Sequence, residues 1–572
     1  MPVETINTLV IGAGQAGIAM SEHLGRLRIP HLVLERERIA ESWRTRRWDS
    51  LVANGPAWHD RFPNMEFPHT PGDGFPGKDE VAAYFEAYAA MVNAPVRCGT
   101  EVTALHPLRG RPGFSATTSQ GPIEARNVVV ATGAFQTPVI PPIVPDGGGL
   151  TQMHSSGYRH PAALPAGAVL VVGAGSSGVQ IADELARAGR RVYLSVGPHD
   201  RPPRRYRGGD FVWWLGVLGK WEMQASAPGT EHVTIAVSGA RGGETVDFRR
   251  LGREGIVLLG RTASCTDGVL HVAADLERNI RRGDASYLAL LDEADAYIAR
   301  NGLDLPEEPR ARDLGDMPAC VTRPVASLDL AAAGIGTIIW ATGFSNDYGW
   351  MHVDAFDGAG RPKHQRGVCA EPGIYFLGLP WLSGRGSSFI WGVWHDARYV
   401  ADRIAIRAGY HAHAPKRPPC LPPAASDPTP LESSPMAHTR IRPFNTRDTY
   451  PEQKLDNDLC QAVVARGTMV FLRGQCPQNL DDARNLGSHD PVEQTRKVMQ
   501  NIRQLMQEAG GGMEHVCRLQ VFLTDVRHRE AVYRTMGEYI RGVHPVSTGL
   551  VVTALARPEW LVEIEATAVI PD

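Results

Sequence analysis

The chain has 572 residues, 43% hydrophobic and 21% charged, with a formal net charge of −3. That length exceeds what one core can use and suggests about three or four domains, while the near-neutral charge excludes a broad basic field for nucleic acid or an anionic membrane. No apolar run reaches the roughly 18 residues of a membrane span, and eight cysteines without a CxxC pair argue against a disulfide framework, a zinc ribbon or a dithiol centre. The start, Met1-Pro2-Val3-Glu4, has neither a basic nor an apolar leader region, so no signal peptide is expected and a reducing cytoplasm is the expected location.

In chain order, residues 8–11 read as a short buried strand followed by Gly12-Ala13-Gly14-Gln15-Ala16-Gly17, a helix to about residue 27, and a strand over 31–34 that ends at Glu35. A second βαβ unit starts with a strand over 169–172, continues through Gly173-Ala174-Gly175-Ser176-Ser177-Gly178 and a helix to about 188, and ends in a strand over 191–195. Two more strands run into Ala-Thr-Gly turns, at Ala131-Thr132-Gly133 and Ala341-Thr342-Gly343. Residues 409–437 are rich in Pro and Ala without periodicity and read as a semi-rigid linker, with Met436 as a possible old start. Strands over 463–472, 516–523 and 562–569 and helices over 492–509 and 529–540 then define an α+β domain.

A GxGxxG is informative when it sits between a strand and a helix, as both copies do here. The first glycine permits the tight turn, the second lets the backbone approach a pyrophosphate, and the third allows close helix packing. The helix N-terminus offers free N–H groups and partial positive charge to the phosphates. Glu35 stands 18 residues past Gly17, at the strand end where an acid hydrogen-bonds a ribose. Two such sites imply two dinucleotides. The second strand ends at Ser195-Val196-Gly197 without an acid, and Arg201, Arg204, Arg205 and Arg207 follow. These guanidinium groups suit a 2′-phosphate, which favours NADPH and leaves NADH open; a solvated basic loop is the other reading.

The first 408 residues or so resemble the flavin-containing monooxygenases and their YUCCA and bacterial relatives. The resemblance rests on the first loop with Glu35, on Ser42-Trp43 and Arg47-Trp48-Asp49-Ser50-Leu51, on Phe75-Pro76-Gly77-Lys78 with Tyr84, on both Ala-Thr-Gly turns, on His154 with Tyr158, and on the second loop. It implies an α/β protein with two Rossmann-like domains, an FAD domain over 1–165 and 326–408 and an NAD(P)H domain with an insertion over 166–325. It also implies that NADPH reduces FAD, that a C4a-hydroperoxyflavin forms with O2, and that a nitrogen or sulfur atom of a small substrate is oxygenated, with indole-like molecules among the candidates. The residues so implied for FAD are Gly12, Gly14, Gln15, Gly17, Glu35, Arg36, Trp43, Trp48, Asp49, Val102, Thr132, Gly133, Ser387 and Ser388. Those implied for the nicotinamide dinucleotide are Gly173, Gly175, Ser176, Ser177, Gly178, Arg204, Arg205, Ala341, Thr342 and Gly343. Asn54 matches the family asparagine beside flavin and NADP⁺, whose amide donates without being a strong acid; Asn54-Gly55 also reads as a turn pair. The family signature FxGxxxHxxxY is incomplete, since Gly148 and Leu150 precede His154. Trp391, Trp394 and His395 read equally as cavity lining or core. Trp213, Trp214 and Trp221 read as packing, and no metal role is expected for His411 and His413.

Residues 438–572 resemble the Rid family, small trimeric α+β proteins of chorismate-mutase-like fold. Gly474-Gln475, Gln494-Thr495, Val521-Phe522-Leu523-Thr524-Asp525, Pro545 and Val562-Glu563-Ile564-Glu565 carry the match. The family arginine that clamps a substrate carboxylate falls on Ser547, which cannot form a bidentate cationic clamp. Glu563 matches the water-positioning acid, and Gln475 completes the expected site. The resemblance implies a homotrimer, with the domain either processing an imine product or serving only assembly. No nucleic acid or membrane partner is expected.

Overall fold

The computed structural model describes residues 3–147, 149–225, 234–412, 438–449, 455–552 and 554–571. The chain forms two compact units, Met1–Arg417 and Pro418–Asp572. Among the described residues, no helix is long and apolar enough to cross a membrane.

The first unit contains two parallel sheets. One orders its strands His364–Gln365, Val368–Cys369, Ile374–Phe376, Gly121–Val130, Glu4–Ile11, His31–Leu34 and Val96–Arg97, and the last five run parallel. The other orders Val257–Leu259, Val192–Ser195, Ala168–Val172, Ile335–Trp340 and Thr151–His154, all parallel. Their central residues, such as Leu9, Val10, Val128, Val129, Leu170 and Val171, are fully buried, as parallel strands covered on both faces require.

The pairing moves the expected domain boundaries. Thr151–His154 and Ile335–Trp340 belong to the second sheet, where Trp340 pairs with both Val172 and His154, so the second domain reaches beyond 166–325 at both ends. A buried apolar strand carries no local mark of the sheet it will join. Ile390–Ala412 is one helix, which covers the first four residues of the expected linker. Residues 413–437, with His413 and Met436, lie outside the described residues, and so do the side chains of His411 and Ala412.

In the second unit a four-stranded sheet orders Thr468–Gln475, Val562–Ile570, Val516–Leu523 and Val546–Val551. Helices Pro491–Glu508 and Arg529–Gly537 share a core with one face of it, through Val498, Ile502, Met536, Leu519 and Val521. The single strand expected over 463–472 is two, Asp458–Ala465 and Thr468–Gln475. Gly467 divides them: its φ is +138°, and a Cβ there would lie 2.0 Å from the Ile570 carbonyl oxygen.

Candidate active site

Each glycine-rich loop leaves a strand at its carboxyl end and enters a helix, Gln15–Arg26 or Ser176–Arg187. Gly12 (φ +107°) and Gly173 (φ +121°) adopt a backbone that side chains rarely allow, with the carbonyl oxygens of Ala131 and Ala341 2.6 and 2.4 Å from an added Cβ. At Gly17 and Gly178 a Cβ would lie 1.8 and 1.9 Å from the carbonyl oxygens of Gly12 and Gly173. Nothing among the described residues explains Gly14 in this way: its φ is −81°, and a Cβ would meet no atom within 4 Å. At Gly175 the nearest atom, Thr234 Cγ2, is 3.4 Å away. The middle glycines therefore keep space clear for something outside the chain, and this fits a dinucleotide at each loop.

Both loops line one cavity of about 1260 Å³. Of the residues expected to bind cofactors, Gly12, Gly14, Gln15, Glu35, Arg36, Trp43, Trp48, Asn54, Val102, Thr132 and Gly133 line it. So do Gly173, Gly175, Ser176, Ser177, Gly178, Ala341, Thr342, Gly343 and Ser388. The Glu35 carboxylate accepts from Ala13 N (2.8 Å) and Glu37 N (3.0 Å), which fixes it at the strand end. Gln15 Nε2 donates to Ser388 O (2.8 Å) and ties the first loop to the segment before the last helix.

Five expected residues lie elsewhere, among them Gly17, which packs beneath the first loop against Gly12. Asp49 is exposed, away from the cavity wall. The buried Ser387 Oγ accepts from Ser383 N and Gly384 N, a local brace. Arg204 is buried and paired with Asp210 at 2.5 Å, while Arg205 donates to Gly242 O. Arg201 and Arg207 are bound to Asp284 and Asp295. None of these four arginines lines the cavity, because each is engaged elsewhere in the chain: Arg204 by Asp210, six residues on, and the other three by partners distant in sequence.

Arg261, by contrast, does line the cavity. It stands just beyond Val257–Leu259, lines the cavity with Ser195, Gly197 and Pro198, and is held by Asp275 through Nε at 2.6 Å. Its position at a parallel strand's carboxyl end was the available signal, since ligands bind outside such ends.

Asn54 is fixed from several directions. Gln180 Nε2 donates to its Oδ1 (2.9 Å), Arg204 Nη1 donates to its carbonyl (2.5 Å), and Asp60 accepts from the next N–H, Gly55 N (2.9 Å). Among the described residues its Nδ2 has no acceptor, so both of its N–H donors remain for the cavity. Asp60 also lines the cavity and bonds His59 Nδ1 at 2.8 Å, and the His59 ring stacks on Trp221 and Trp391. His154 Nε2 bonds Gly343 O (2.9 Å), and desolvation holds its pKa below the usual value, so it braces the second Ala-Thr-Gly turn as a neutral ring. Tyr158 is wholly buried and donates to Glu184.

The second loop carries an unexpected contact. Ser176 N and Oγ both donate to Ile235 O, at 2.8 and 2.9 Å, and Val237 N donates to Ser176 Oγ at 3.3 Å. Asp200 holds the segment through Asp200 N to Thr234 O and Ala236 N to Asp200 O, each 2.8 Å.

In the second unit the expected residues do not converge. Ser547 pairs with Leu519, whereas Glu563 pairs with Phe522; Leu519 and Phe522 are an odd number of residues apart on one strand, so Ser547 and Glu563 occupy opposite faces. Gln475 is buried and donates to Arg473 O. Cys476 is the residue beside Glu563, and burial together with that carboxylate pushes its thiol up to about 12.

Fold and site together define a two-dinucleotide oxidoreductase joined to a Rid-family domain. Residues 9–206 match the family described as pyridine nucleotide-disulphide oxidoreductase, and residues 454–570 match the family described as endoribonuclease L-PSP. An oxidoreductase CzcO-like of Geobacillus kaustophilus is 34% identical over 404 residues, covering 70% of this chain and 98% of the relative. The indole-3-pyruvate monooxygenase YUCCA1 of Oryza sativa is 33% identical over 195 residues, covering 33% of this chain and 47% of the relative. A flavin-containing monooxygenase structure from Stenotrophomonas maltophilia aligns with a TM-score of 0.49 at 18% identity, covering 71% of this chain and all of that one. The chain belongs to the CzcO-like oxidoreductases, of flavin-monooxygenase type, fused to a Rid-family domain. Membership implies the use of a flavin and a nicotinamide dinucleotide.

Proposed function

We propose that the chain is an FAD- and NADPH-dependent monooxygenase acting on a nitrogen or sulfur atom of a small substrate. The observation that carries this reading is the single cavity lined by both glycine-rich loops, each with its middle glycine left clear. When bound, the flavin and nicotinamide supply hydride transfer and O2 activation. The chain's own part is to hold and to shield. The uncapped first helix and Glu35 suit the pyrophosphate and ribose of FAD, and the second loop suits the nicotinamide dinucleotide. Arg261 suits a 2′-phosphate, since Asp275 engages its Nε and leaves the rest of the guanidinium for a ligand. The Asn54 Nδ2 supplies preorganised N–H donors at the reacting end, where a fixed amide stabilises developing negative charge without donating a proton outright. No cysteine lines the cavity among the described residues, which favours oxygenation over disulfide reduction.

Purified protein should be yellow and should oxidise NADPH. A screen of amines, thioethers and indoles with H2O2 measured alongside tests the reading. NADPH consumption that yields only H2O2 with every substrate would favour an oxidase instead.

The Rid-family domain is proposed to assemble the chain as a homotrimer. The sheet face opposite the helices carries Met469 and Phe471, 56% and 74% exposed, with Leu550 at 44%, an apolar surface suited to further copies. The separation of Ser547 from Glu563 favours assembly over hydrolysis of 2-imino acids. Light scattering on the full chain tests this, and a monomer would refute it. The described cysteines are all free thiols, which fits a cytoplasmic setting.

A further inference from the structure

Arg47 is a cation with no carboxylate partner among the described residues. It follows the short helix Glu41–Thr45 and lines the cavity. Its guanidinium lies over two aromatic rings, Trp43 at 5.7 Å and Phe135 at 5.1 Å. The guanidinium's single hydrogen bond among the described residues is Nη1 to Arg46 O at 3.2 Å, and no described carboxylate is within ion-pair distance. Arg47 is half-buried, whereas the fully buried arginines of this unit are ion-paired: Arg201 and Arg249 share Asp284, and Arg204 holds Asp210. Proteins pair such cations because an uncompensated one is expensive to enclose. Desolvation pushes the pKa of Arg47 down to about 10, still far enough above neutrality to keep it charged.

We propose that Arg47 is the oxyanion receptor of the cavity, its guanidinium edge taking a carboxylate or phosphate of the bound ligand while Trp43 and Phe135 cover its faces. A planar fork held between rings keeps little freedom to lose when an anion with two oxygens arrives, which is the arrangement that favours bidentate recognition. The inference rests on the reading of this cavity as the ligand site. Two sources present that chemistry, a phosphate of the nicotinamide dinucleotide and a carboxylate on the organic substrate. Asn54 already supplies a neutral donor, so Arg47 adds selection by charge, a preference for anions over neutral molecules of the same shape.

The test uses the full-length protein and three variants, Arg47→Met, Arg47→Gln and Arg47→Lys, titrated by calorimetry with NADP⁺, inorganic pyrophosphate, benzoate and benzamide. Arg47→Met and Arg47→Gln should weaken at least one of the three anions by about tenfold or more and leave benzamide unchanged, while Arg47→Lys falls between. Loss confined to NADP⁺ and pyrophosphate identifies the dinucleotide phosphate; loss confined to benzoate identifies a substrate carboxylate. A merely structural arginine would lower thermal stability when replaced, whereas a receptor that waits for its counter-ion should leave the ligand-free melting temperature level or raise it. The proposal is overturned if wild type binds none of the three anions, or if both neutral variants bind them as tightly as wild type. A colourless protein that still binds pyrophosphate through Arg47 would defeat the flavin reading and leave this one standing.

Discussion

At the first loop the N–H groups of Gln15 and Ala16 line the cavity with no protein acceptor among the described residues, while at the second the equivalent N–H of Ser176 is already bonded to Ile235 O. Pattern, glycine geometry and helix entry are the same in both. The difference comes from a segment near residue 235, more than 50 positions downstream in sequence. Local sequence can therefore specify a phosphate loop completely while saying nothing about whether its donors are free.

The largest expected effect separates glycines the protein needs from those a ligand needs. Gly17→Ala and Gly178→Ala drive a methyl into a backbone carbonyl, and should destabilise the apoprotein by on the order of 3 kcal/mol or more. Gly14→Ala meets no protein atom, so its apoprotein should melt like wild type and yet purify colourless. A Gly14→Ala protein that keeps its flavin would show that the clear space at the first loop is not a pyrophosphate seat. Next is Arg204→Ala, which strands Asp210 and frees the Asn54 carbonyl. It should cost about 3–5 kcal/mol of stability, seen in denaturant unfolding, without shifting the preference between NADPH and NADH.

Asn54→Ala should leave NADPH oxidation running and divert it to H2O2, with the productive step lower by about 10²-fold; unchanged coupling would make Asn54 a turn residue. Arg261→Ala should raise the KM for NADPH by about tenfold and that for NADH little, and an equal rise for both would remove the 2′-phosphate assignment. The smallest effect is in acid. Burial holds His23, on the first helix, well below its ordinary 6.5, at about 4. Its folded pKa is depressed, so the unfolded chain binds more protons between those values. The stability it contributes above pH 6.5 is lost as pH falls through that window. Flavin release should therefore increase as pH drops from 6.5 towards 4, and His23→Gln should flatten the flavin profile.

Much of the site was legible because phosphate loops need glycine at fixed steps, and backbone strain at Gly12 and Gly173 leaves no substitute. Glu35 and the two Ala-Thr-Gly turns were legible for the related reason that strand ends meet ligands. Arg204 was misjudged since a basic residue near a nucleotide site reads the same whether it faces a phosphate or an aspartate six residues on. Arg261 was signalled only by its place at a strand's carboxyl end, while Asp60 and the Ile235 carbonyl were invisible, since each arrives from a turn or segment whose position depends on the whole sheet. The register that places Ser547 and Glu563 on opposite faces is likewise a property of three paired strands and of no one of them.

The Ser176–Ile235 contact also bears on timing. A phosphate can take the Ser176 N–H only after the Ile235 carbonyl has let go, so a dinucleotide arriving there meets a gate with its own rate of opening. Its binding rate should level off at high concentration instead of rising without limit. At the first loop no such bond is present among the described residues, so the two loops should differ in how fast they take up a nucleotide.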